Sequence, residues 1–142
     1  MDQQKTRVQD WMTREPLTAR ADTSAVEAYE RMRDHKIHRL PVVDAAGHLV
    51  GIVTRSDIAG AVSFQHSEAG WHEARFALAG TVVGEVMTSA PITVAPDTSM
   101  RRAAALLLDH HLSGLPVVEG DRLVGIITES DVFRLVVALC DE

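Results

Sequence analysis

The sequence has 142 residues, of which 46% are hydrophobic and 24% are charged, as is usual for soluble globular proteins. A net charge of −6 and only 4% aromatic residues argue against a nucleic-acid partner, which needs a basic face and rings for stacking. The N-terminus lacks the apolar core of a signal peptide, and no apolar run reaches the ~18–20 residues that cross a bilayer. We therefore expect a cytoplasmic protein without a membrane partner, in which the sole cysteine, Cys140, forms no internal disulfide.

The chain is a tandem repeat. The phrase GIVTRSD at 51–57 returns as GIITESD at 125–131, and LPVV at 40–43 returns at 115–118. Between these segments the second copy loses one residue, in a turn between two apolar runs. A deletion confined to a hairpin tip is what a repeated two-strand unit tolerates.

In chain order, each copy predicts a short extended segment, a helix starting at an Asp-Thr-Ser sequence, two paired strands and a closing helix. The extended segments are 16–19 and 91–94, the helix starts 22–24 and 97–99, and the strand pairs 39–44 with 48–54 and 114–119 with 122–128. Trp71, Ala74 and Leu78 predict one face of a helix in the connecting segment. This order predicts a mixed α/β (α+β) fold whose two small sheets pack about a pseudo-two-fold axis, leaving clefts that suit ligands.

The apolar spacing also predicts which helix faces are buried. In the first helix the apolar face is Ala25, Ala28, Tyr29 and Met32. The corresponding helix of the second copy, Met100 to Leu108, is apolar over a wider arc, so we expect it to be buried more deeply. The stripe expected on the last helix is Val132, Leu135, Val136 and Leu139.

The repeated phrase places a threonine and an aspartate where a strand ends and a helix begins. One interpretation is a capping box, although the usual partner is Glu or Gln and Asp stands in both copies. The other is a ligand site, since a helix N-terminus attracts phosphate, a carboxylate can accept both ribose hydroxyls, and an isoleucine can face a base. The residues that this second interpretation assigns to a ligand are Ile52, Thr54 and Asp57 in the first copy and Ile126, Thr128 and Asp131 in the second.

Positive charge distinguishes the two copies. His38 and Arg39 stand at the entry to a strand, and arginine is well shaped for bidentate contact with phosphate. The alternative is a surface pair near the end of a helix, where positive charge is mildly favoured. The second copy has Ser113 and Gly114 at these positions, so we expect the first copy to bind phosphate better.

Taken together, the VQDWMT and VGEVMT segments, the DTS helix starts, the LPVV strands and the repeated phrase resemble a pair of CBS domains, a Bateman module. The resemblance covers repeats at 8–62 and 82–140, joined by a partly helical linker at 63–81. It implies a β-α-β-β-α fold for each repeat, with the repeats packed through their sheets, and a homodimer. It also implies that adenosine nucleotides bind in clefts between the repeats.

The resemblance also implies roles for individual residues. Asp57 and Asp131 would hold ribose hydroxyls, with the threonines of the phrase near the phosphate. The segment KIHRLPVVD resembles nucleotide-binding repeats in the gamma subunit of AMP-activated protein kinase, where His and Arg contact phosphate, which maps to His38 and Arg39. The supporting residues that it implies are Ser56, Val94 and Ser113 for the Asp57 site, and Ser130, Ile37 and Ala19 for the Asp131 site.

These observations predict a stand-alone regulatory module that binds AMP, ADP or ATP, with or without Mg²⁺, and modulates an unidentified partner protein. We expect no enzyme activity, because no G-x-S-x-G, G-x-G-x-x-G or P-loop motif is present. Two alternatives stay open: a docking module whose clefts bind nothing, and a sensor of S-adenosylmethionine or NAD. The pairs His35 with His38 and His110 with His111 lack the spacing of a tetrahedral metal site, so we expect no resident metal.

Overall fold

The computed structural model describes residues 6–61 and 68–140. Its elements, in chain order, are strand β1 (Thr13–Arg14), helix α1 (Ala25–Asp34), β2 (Arg39–Val43), β3 (Leu49–Thr54), α2 (Arg55–Ala61), α3 (Glu68–Ala77), α4 (Val83–Val86), β4 (Thr88–Ser89), α5 (Met100–His110), β5 (Gly114–Glu119), β6 (Arg122–Thr128) and α6 (Glu129–Leu139). The mixed helix and sheet class and the strand pair of each repeat confirm the sequence prediction. None of the helices described is long and apolar enough to cross a membrane.

The chain forms two compact units whose bounds cut across the sequence repeats. The first-repeat unit is Leu17–Ala90, and the second-repeat unit combines Met1–Pro16 with Pro91–Glu142. Each unit therefore contains the leading segment of the other repeat: β4 belongs to the first-repeat unit and β1 to the second-repeat unit. The repeats of the sequence and the units of the structure are thus two different divisions of the chain.

The sheet of the first-repeat unit has the order β2-β3-β4, with both strand pairs antiparallel. Its register places Arg39 opposite Thr54 and Gly51 opposite Ser89. The extended segment expected at 16–19 forms a parallel bridge in which Ala19 lies beside Val42. Strand β3, at the centre of this sheet, ends at Thr54, and α2 begins at the next residue.

The sheet of the second-repeat unit has the order β1-β6-β5 and is also antiparallel. Gly114 lies opposite Thr128, as Arg39 lies opposite Thr54 in the other sheet. A parallel bridge again holds the leading extended segment, here through Val94 and Val117. The two sheets therefore present their strand-to-helix junctions in the same register, as the sequence repeat predicts.

Serine side chains start the two helices that follow the Asp-Thr-Ser sequences. Ser24 Oγ accepts a hydrogen bond of 3.0 Å from the backbone N–H of Glu27, and α1 begins at the next residue. Ser99 Oγ accepts an equivalent bond of 3.0 Å from the backbone N–H of Arg102 at the start of α5. Each serine satisfies a backbone donor that the first helical turn leaves unpaired, which confirms both helix starts.

The hairpin tips contain the one-residue difference between the repeats. In the longer tip, Asp44 Oδ1 accepts backbone hydrogen bonds of 2.9 Å from Ala46 and from His48. The bond from the His48 backbone is the main reason that the pKa of the Asp44 carboxyl lies below its usual value. In the shorter tip, Gly120 has a φ of 61°, a conformation that glycine adopts without a steric penalty. Gly47 of the longer tip has a φ of 86°, so both tips turn at a glycine, and the longer tip adds the Asp44 hydrogen bonds.

Burial confirms the predicted apolar faces of α1 and α3, confirms that of α6 in part and contradicts the expected depth of α5. The faces of α1 and of the connecting helix α3 are buried, including Trp71. The prediction that α5 lies deeper than α1 is wrong, because α5 buries three side chains where α1 buries four, and Leu108 is 76% exposed. The stripe predicted on α6 is also wrong in part, since Val136 and Leu139 are about half exposed. A wide apolar arc on a helix exceeds what one sheet face can cover.

Gly51→Ala is expected to destabilise the first-repeat unit by about 1–3 kcal/mol, the usual cost of overpacking. A Cβ at Gly51 would lie 2.8 Å from the carbonyl oxygen of Thr88 and 2.6 Å from the Sδ of Met87. The change is measured as the free energy of unfolding in urea, followed by circular dichroism.

Gly60→Ala is the matched control, because a Cβ at this helical position meets nothing within 4 Å. Alanine should stabilise the helix by up to about 1 kcal/mol relative to glycine. Equal unfolding free energies for the two variants would show that the close approach of β4 to β3 does not constrain Gly51.

Candidate functional site

The junction between β3 and α2 is closed by a reciprocal pair of hydrogen bonds. The backbone N–H of Thr54 donates to Asp57 Oδ2 at 2.9 Å, and the backbone N–H of Asp57 donates to Thr54 Oγ1 at 3.0 Å. This is the capping-box arrangement, with Asp in the place of the usual Glu. The structural interpretation of GIVTRSD is therefore confirmed.

The junction between β6 and α6 repeats the arrangement and adds a third partner. Thr128 donates to Asp131 Oδ2 from its backbone N–H at 2.9 Å and from its Oγ1 at 3.2 Å. Asp131 Oδ1 accepts a bond of 2.6 Å from Nη1 of Arg134, one turn along α6. Asp131 is only 3% exposed, so its carboxylate is both buried and fully paired.

The two aspartates therefore differ in the hydrogen bonding of their second carboxylate oxygen, Oδ1. Asp57 is half-buried, and among the described residues its Oδ1 accepts no hydrogen bond. The position that corresponds to Arg134 in the first repeat is Gly60, which has no side chain to reach it. A carboxylate oxygen that is partly shielded from water and unpaired is suited to accept hydroxyl donors.

A cavity of about 540 Å³, open to solvent, lies beside the same junction in the first-repeat unit. The residues that line it are His38, Arg55, Ser56, Ala59 and Gly60. Two of the residues predicted from the sequence, His38 and Ser56, thus come together, while Asp57, Thr54 and Arg39 do not line the cavity. The last two lining residues, Ala59 and Gly60, add little or no side-chain volume to it.

Arg55 was not predicted as a site residue, and it is the fixed positive charge of this cavity. Its Nη2 donates to the Tyr29 hydroxyl at 3.2 Å, and its guanidinium carbon lies 5.2 Å from the centre of the Tyr29 ring. The Tyr29 ring is itself stacked on Trp71, with ring centres 4.0 Å apart. Arg55 pairs with no carboxylate in the described part of the chain, so its charge is available to an anion.

The corresponding surface of the second-repeat unit has different chemistry. Its residues at the positions that line the first cavity are Ser113, Glu129, Ser130, Phe133 and Arg134. A glutamate replaces Arg55, and two large side chains replace Ala59 and Gly60. The difference was visible in the sequence, because Arg55 and Glu129 are one of the two mismatches in the repeated phrase.

The other predicted residues are distributed over the two units. Ile37, Ile52 and Arg39 are half-buried in the first-repeat unit, whereas Ser130 is exposed and Ile126 is buried in the second-repeat unit. Ser113 accepts the backbone N–H of Glu129 through its carbonyl oxygen at 3.1 Å, and His38 accepts that of Arg55 at 3.0 Å. These two carbonyls therefore fix equivalent points at the two junctions.

Ala19 and Val94 use their backbone groups inside their own sheets. Ala19 donates to Pro41 O at 3.0 Å and accepts from the N–H of Val43 at 3.0 Å. Val94 makes the corresponding bonds, at 3.1 Å to Pro116 and 2.9 Å from Val118. Neither residue keeps a backbone donor for a base. That Val94 and Ser113 complete the Asp57 site, and Ile37 and Ala19 the Asp131 site, stays a prediction.

Histidines form no metal cluster in the described ranges. No group of three or more His, Cys, Asp or Glu side chains within 6–61 and 68–140 could hold a metal ion. His35 Nδ1 instead lies 2.9 Å from the carbonyl oxygen of Arg31, one helical turn earlier. The interactions of this ring are therefore those of a helix end.

Two solved structures are similar to this chain over nearly its whole length. CBSX2 of Arabidopsis thaliana, solved in complex with AMP, is 31% identical, with a TM-score of 0.80, covering 96% of this chain and 99% of that one. The CBS domain pair of protein MJ0100, solved with 5′-methylthioadenosine and S-adenosyl-L-methionine, is 34% identical, with a TM-score of 0.76 and coverages of 92% and 99%.

The chain spans about a quarter of the length of several longer curated relatives. One is the L-aspartate semialdehyde sulfurtransferase of Methanocaldococcus jannaschii, which is 35% identical over 92% of this chain, and of which the chain covers 23%. A family model for the CBS domain matches residues 8–63 and again residues 83–138. With both repeats matched, the chain belongs to the CBS domain family.

Proposed function

We propose that this chain is a regulatory module that binds an adenosine nucleotide, with the ribose and the phosphate held by residues of the first repeat. The observation that carries the proposal is the Asp57 carboxylate. One of its oxygens is fixed by the backbone of Thr54, and the other has no partner among the described residues. This leaves a negative acceptor in a defined position, as recognition of a ribose diol requires.

The phosphate is assigned to the cavity at the start of α2. Arg55 contributes a guanidinium that can bind phosphate through two parallel N–H donors. His38 and Ser56 line the same cavity and add an imidazole and a hydroxyl. Since the second repeat has Ser113 and Glu129 instead of His38 and Arg55, we assign the phosphate to the first repeat alone.

The similar structures support an adenosine ligand and leave its class open. CBSX2 was solved with AMP, and the MJ0100 pair with two adenosine derivatives that carry no phosphate. The positive charge of Arg55 favours AMP, ADP or ATP for the first repeat of this chain, with or without Mg²⁺. An S-adenosylmethionine-like ligand is the second candidate, favoured for the second repeat by Glu129, whose charge would attract a sulfonium and repel a phosphate.

Regulation follows if the ligand stabilises one conformation of the module over another. A ligand moves such an equilibrium only through its different affinities for the two states. The conformational change would alter a surface that a partner protein binds. A docking module that binds no ligand is the alternative, and it predicts no change in melting temperature with any of AMP, ADP, ATP, NAD or S-adenosylmethionine.

A homodimer is the second part of the proposal, and α6 offers a surface for it. Phe133 is 64% exposed, Val137 is 74% exposed, and Leu108 of α5 is 76% exposed, all in the second-repeat unit. Large apolar side chains exposed on neighbouring helices lose contact with water when a second copy covers them.

Asp57→Ala is expected to weaken AMP binding by about 1.5–3 kcal/mol, the usual contribution of a hydrogen bond to a charged group. Asp131→Ala is the matched control, because it removes the same capping bond. The other oxygen that it removes, Oδ1, is already bonded to Arg134. Isothermal titration calorimetry measures both dissociation constants. An equal loss of affinity in the two variants would contradict the assignment of the tight site to the first repeat.

Arg55→Gln is expected to weaken AMP binding about tenfold, which corresponds to about 1.4 kcal/mol, and to leave adenosine binding within about twofold. The glutamine keeps a hydrogen-bond donor but loses the charge that the phosphate needs. Glu129→Gln, at the same position of the second repeat, should change neither affinity. If Arg55→Gln weakened adenosine as much as AMP, Arg55 would act on the helix rather than on the phosphate.

Val137→Glu is expected to shift the protein from dimer to monomer, because it places a charge in the centre of the apolar α6 surface. Sedimentation velocity measures the change, and the effect should be at least about tenfold in the dimer dissociation constant. Phe76→Glu is the control, since Phe76 is 84% exposed on α3 in the other unit. A dimer unaffected by Val137→Glu would exclude α6 from the interface.

A further inference from the structure

The second aspartate of the repeated phrase already has a partner of the kind a ligand would supply. Nη1 of Arg134 donates to Asp131 Oδ1 at 2.6 Å, slightly shorter than the roughly 2.7–2.9 Å that is usual for a charge-assisted N–H···O bond. The remaining oxygen accepts two bonds from Thr128. A ribose hydroxyl therefore finds no oxygen on this carboxylate that is not already hydrogen-bonded.

We propose that Arg134 is an internal latch that closes the Asp131 site, so that a ligand binds there only after displacing its guanidinium. The proposal rests on the proposed function, because it assumes that these aspartates hold a ribose. It goes further because it names Arg134 as a residue that would make the two sites unequal even for a ligand without a phosphate. Arg134 is a specificity-determining residue in this sense, and it acts through Asp131.

The latch depends on the three-residue spacing between Asp131 and Arg134 on α6. Residues three positions apart lie on neighbouring turns of a helix, so Arg134 reaches Asp131 from the same element. Asp131 is almost completely buried, whereas the Arg134 side chain is 66% exposed. The guanidinium can therefore leave the carboxylate without disturbing the core, as a displaceable latch must.

The first repeat has no such residue. Gly60 stands at the position of Arg134, and the space around an added Cβ there is open to at least 4 Å. Asp57 Oδ1 accordingly has no hydrogen-bond donor among the described residues. The two repeats thus share the Thr-Asp pair but differ in whether a neighbouring arginine competes for it.

The size of the effect follows from the position of the ion pair. Arg134 is mostly exposed, so the pair is weaker than a fully buried one and contributes little more than a surface pair. The ligand must still replace a short bond to a buried carboxylate. We therefore expect the latch to weaken ligand binding about tenfold rather than to abolish it.

Adenosine is the probe that isolates this competition, because it has the ribose diol and no phosphate. The Asp131 site is measured in the Asp57→Ala background by isothermal titration calorimetry. Adding Arg134→Ala is expected to tighten adenosine binding there about tenfold. A dissociation constant unchanged within twofold, accompanied by a lower melting temperature, would assign Arg134 a purely structural role and overturn the latch.

The reciprocal experiment builds a latch where none exists. In the Asp131→Ala background, Gly60→Arg is expected to weaken adenosine binding at Asp57 about tenfold. Gly60→Ala, which removes the glycine without adding a guanidinium, is the reference against which the effect of Gly60→Arg is measured. Equal affinities for Gly60→Arg and Gly60→Ala would overturn the latch.

These experiments also separate the latch from the proposed function. If the wild type binds neither adenosine nor AMP but Arg134→Ala binds adenosine, the latch holds and the assignment of the Asp57 site fails. If the wild type binds AMP through Asp57 and Arg134→Ala changes nothing, the function stands and the latch fails. Absence of adenosine binding in every variant overturns both.

Discussion

The reciprocal hydrogen bonds between threonine and aspartate at the end of each central strand hold the rest of the candidate site in place. They fix where β3 and β6 stop and where α2 and α6 begin. Each aspartate uses one carboxylate oxygen for these hydrogen bonds. What each junction could bind therefore depends on the other oxygen. The short side chain of Asp keeps that oxygen close to the junction, which a longer Glu would not.

The repeats differ at residues placed around a shared frame, which is the Thr–Asp pair with the strand end and the helix start that it joins. In the first repeat, small residues at Ala59 and Gly60 leave a cavity, and Arg55 supplies its positive charge. In the second repeat, Phe133 and Arg134 occupy the same helical positions, and Glu129 reverses the charge. Two equivalent junctions thus present an arginine beside an open cavity once and a carboxylate paired within its own helix once.

The sequence predicted the frame well because the frame is made of local signals. The Asp-Thr-Ser helix starts and the strand pairs are read from neighbouring residues, and the structure has them where they were expected. The strands β1 and β4 were not predicted, since each is two residues long and pairs with a strand far away in the sequence. Likewise, Gly51 and Gly125 are understood only once these strands are seen to pass within 3 Å of where a Cβ would lie.

The two arginines show why site residues are harder to predict than the frame. Arg55 and Arg134 are both arginines in the first two turns of a helix that follows the same junction, and a sequence pattern gives them similar weight. Their surroundings separate them: Arg55 rests against the Tyr29 ring and bonds its hydroxyl, whereas Arg134 bonds a carboxylate.

A guanidinium on an aromatic ring keeps most of its donors and its full charge, and its position is fixed before a ligand arrives, which lowers the entropic cost of binding. A guanidinium on a carboxylate has its charge neutralised and must break a bond before it can act. The same residue type therefore presents an unneutralised charge at one junction and a neutralised one at the other, and the partner of each arginine, more than the arginine itself, determines which.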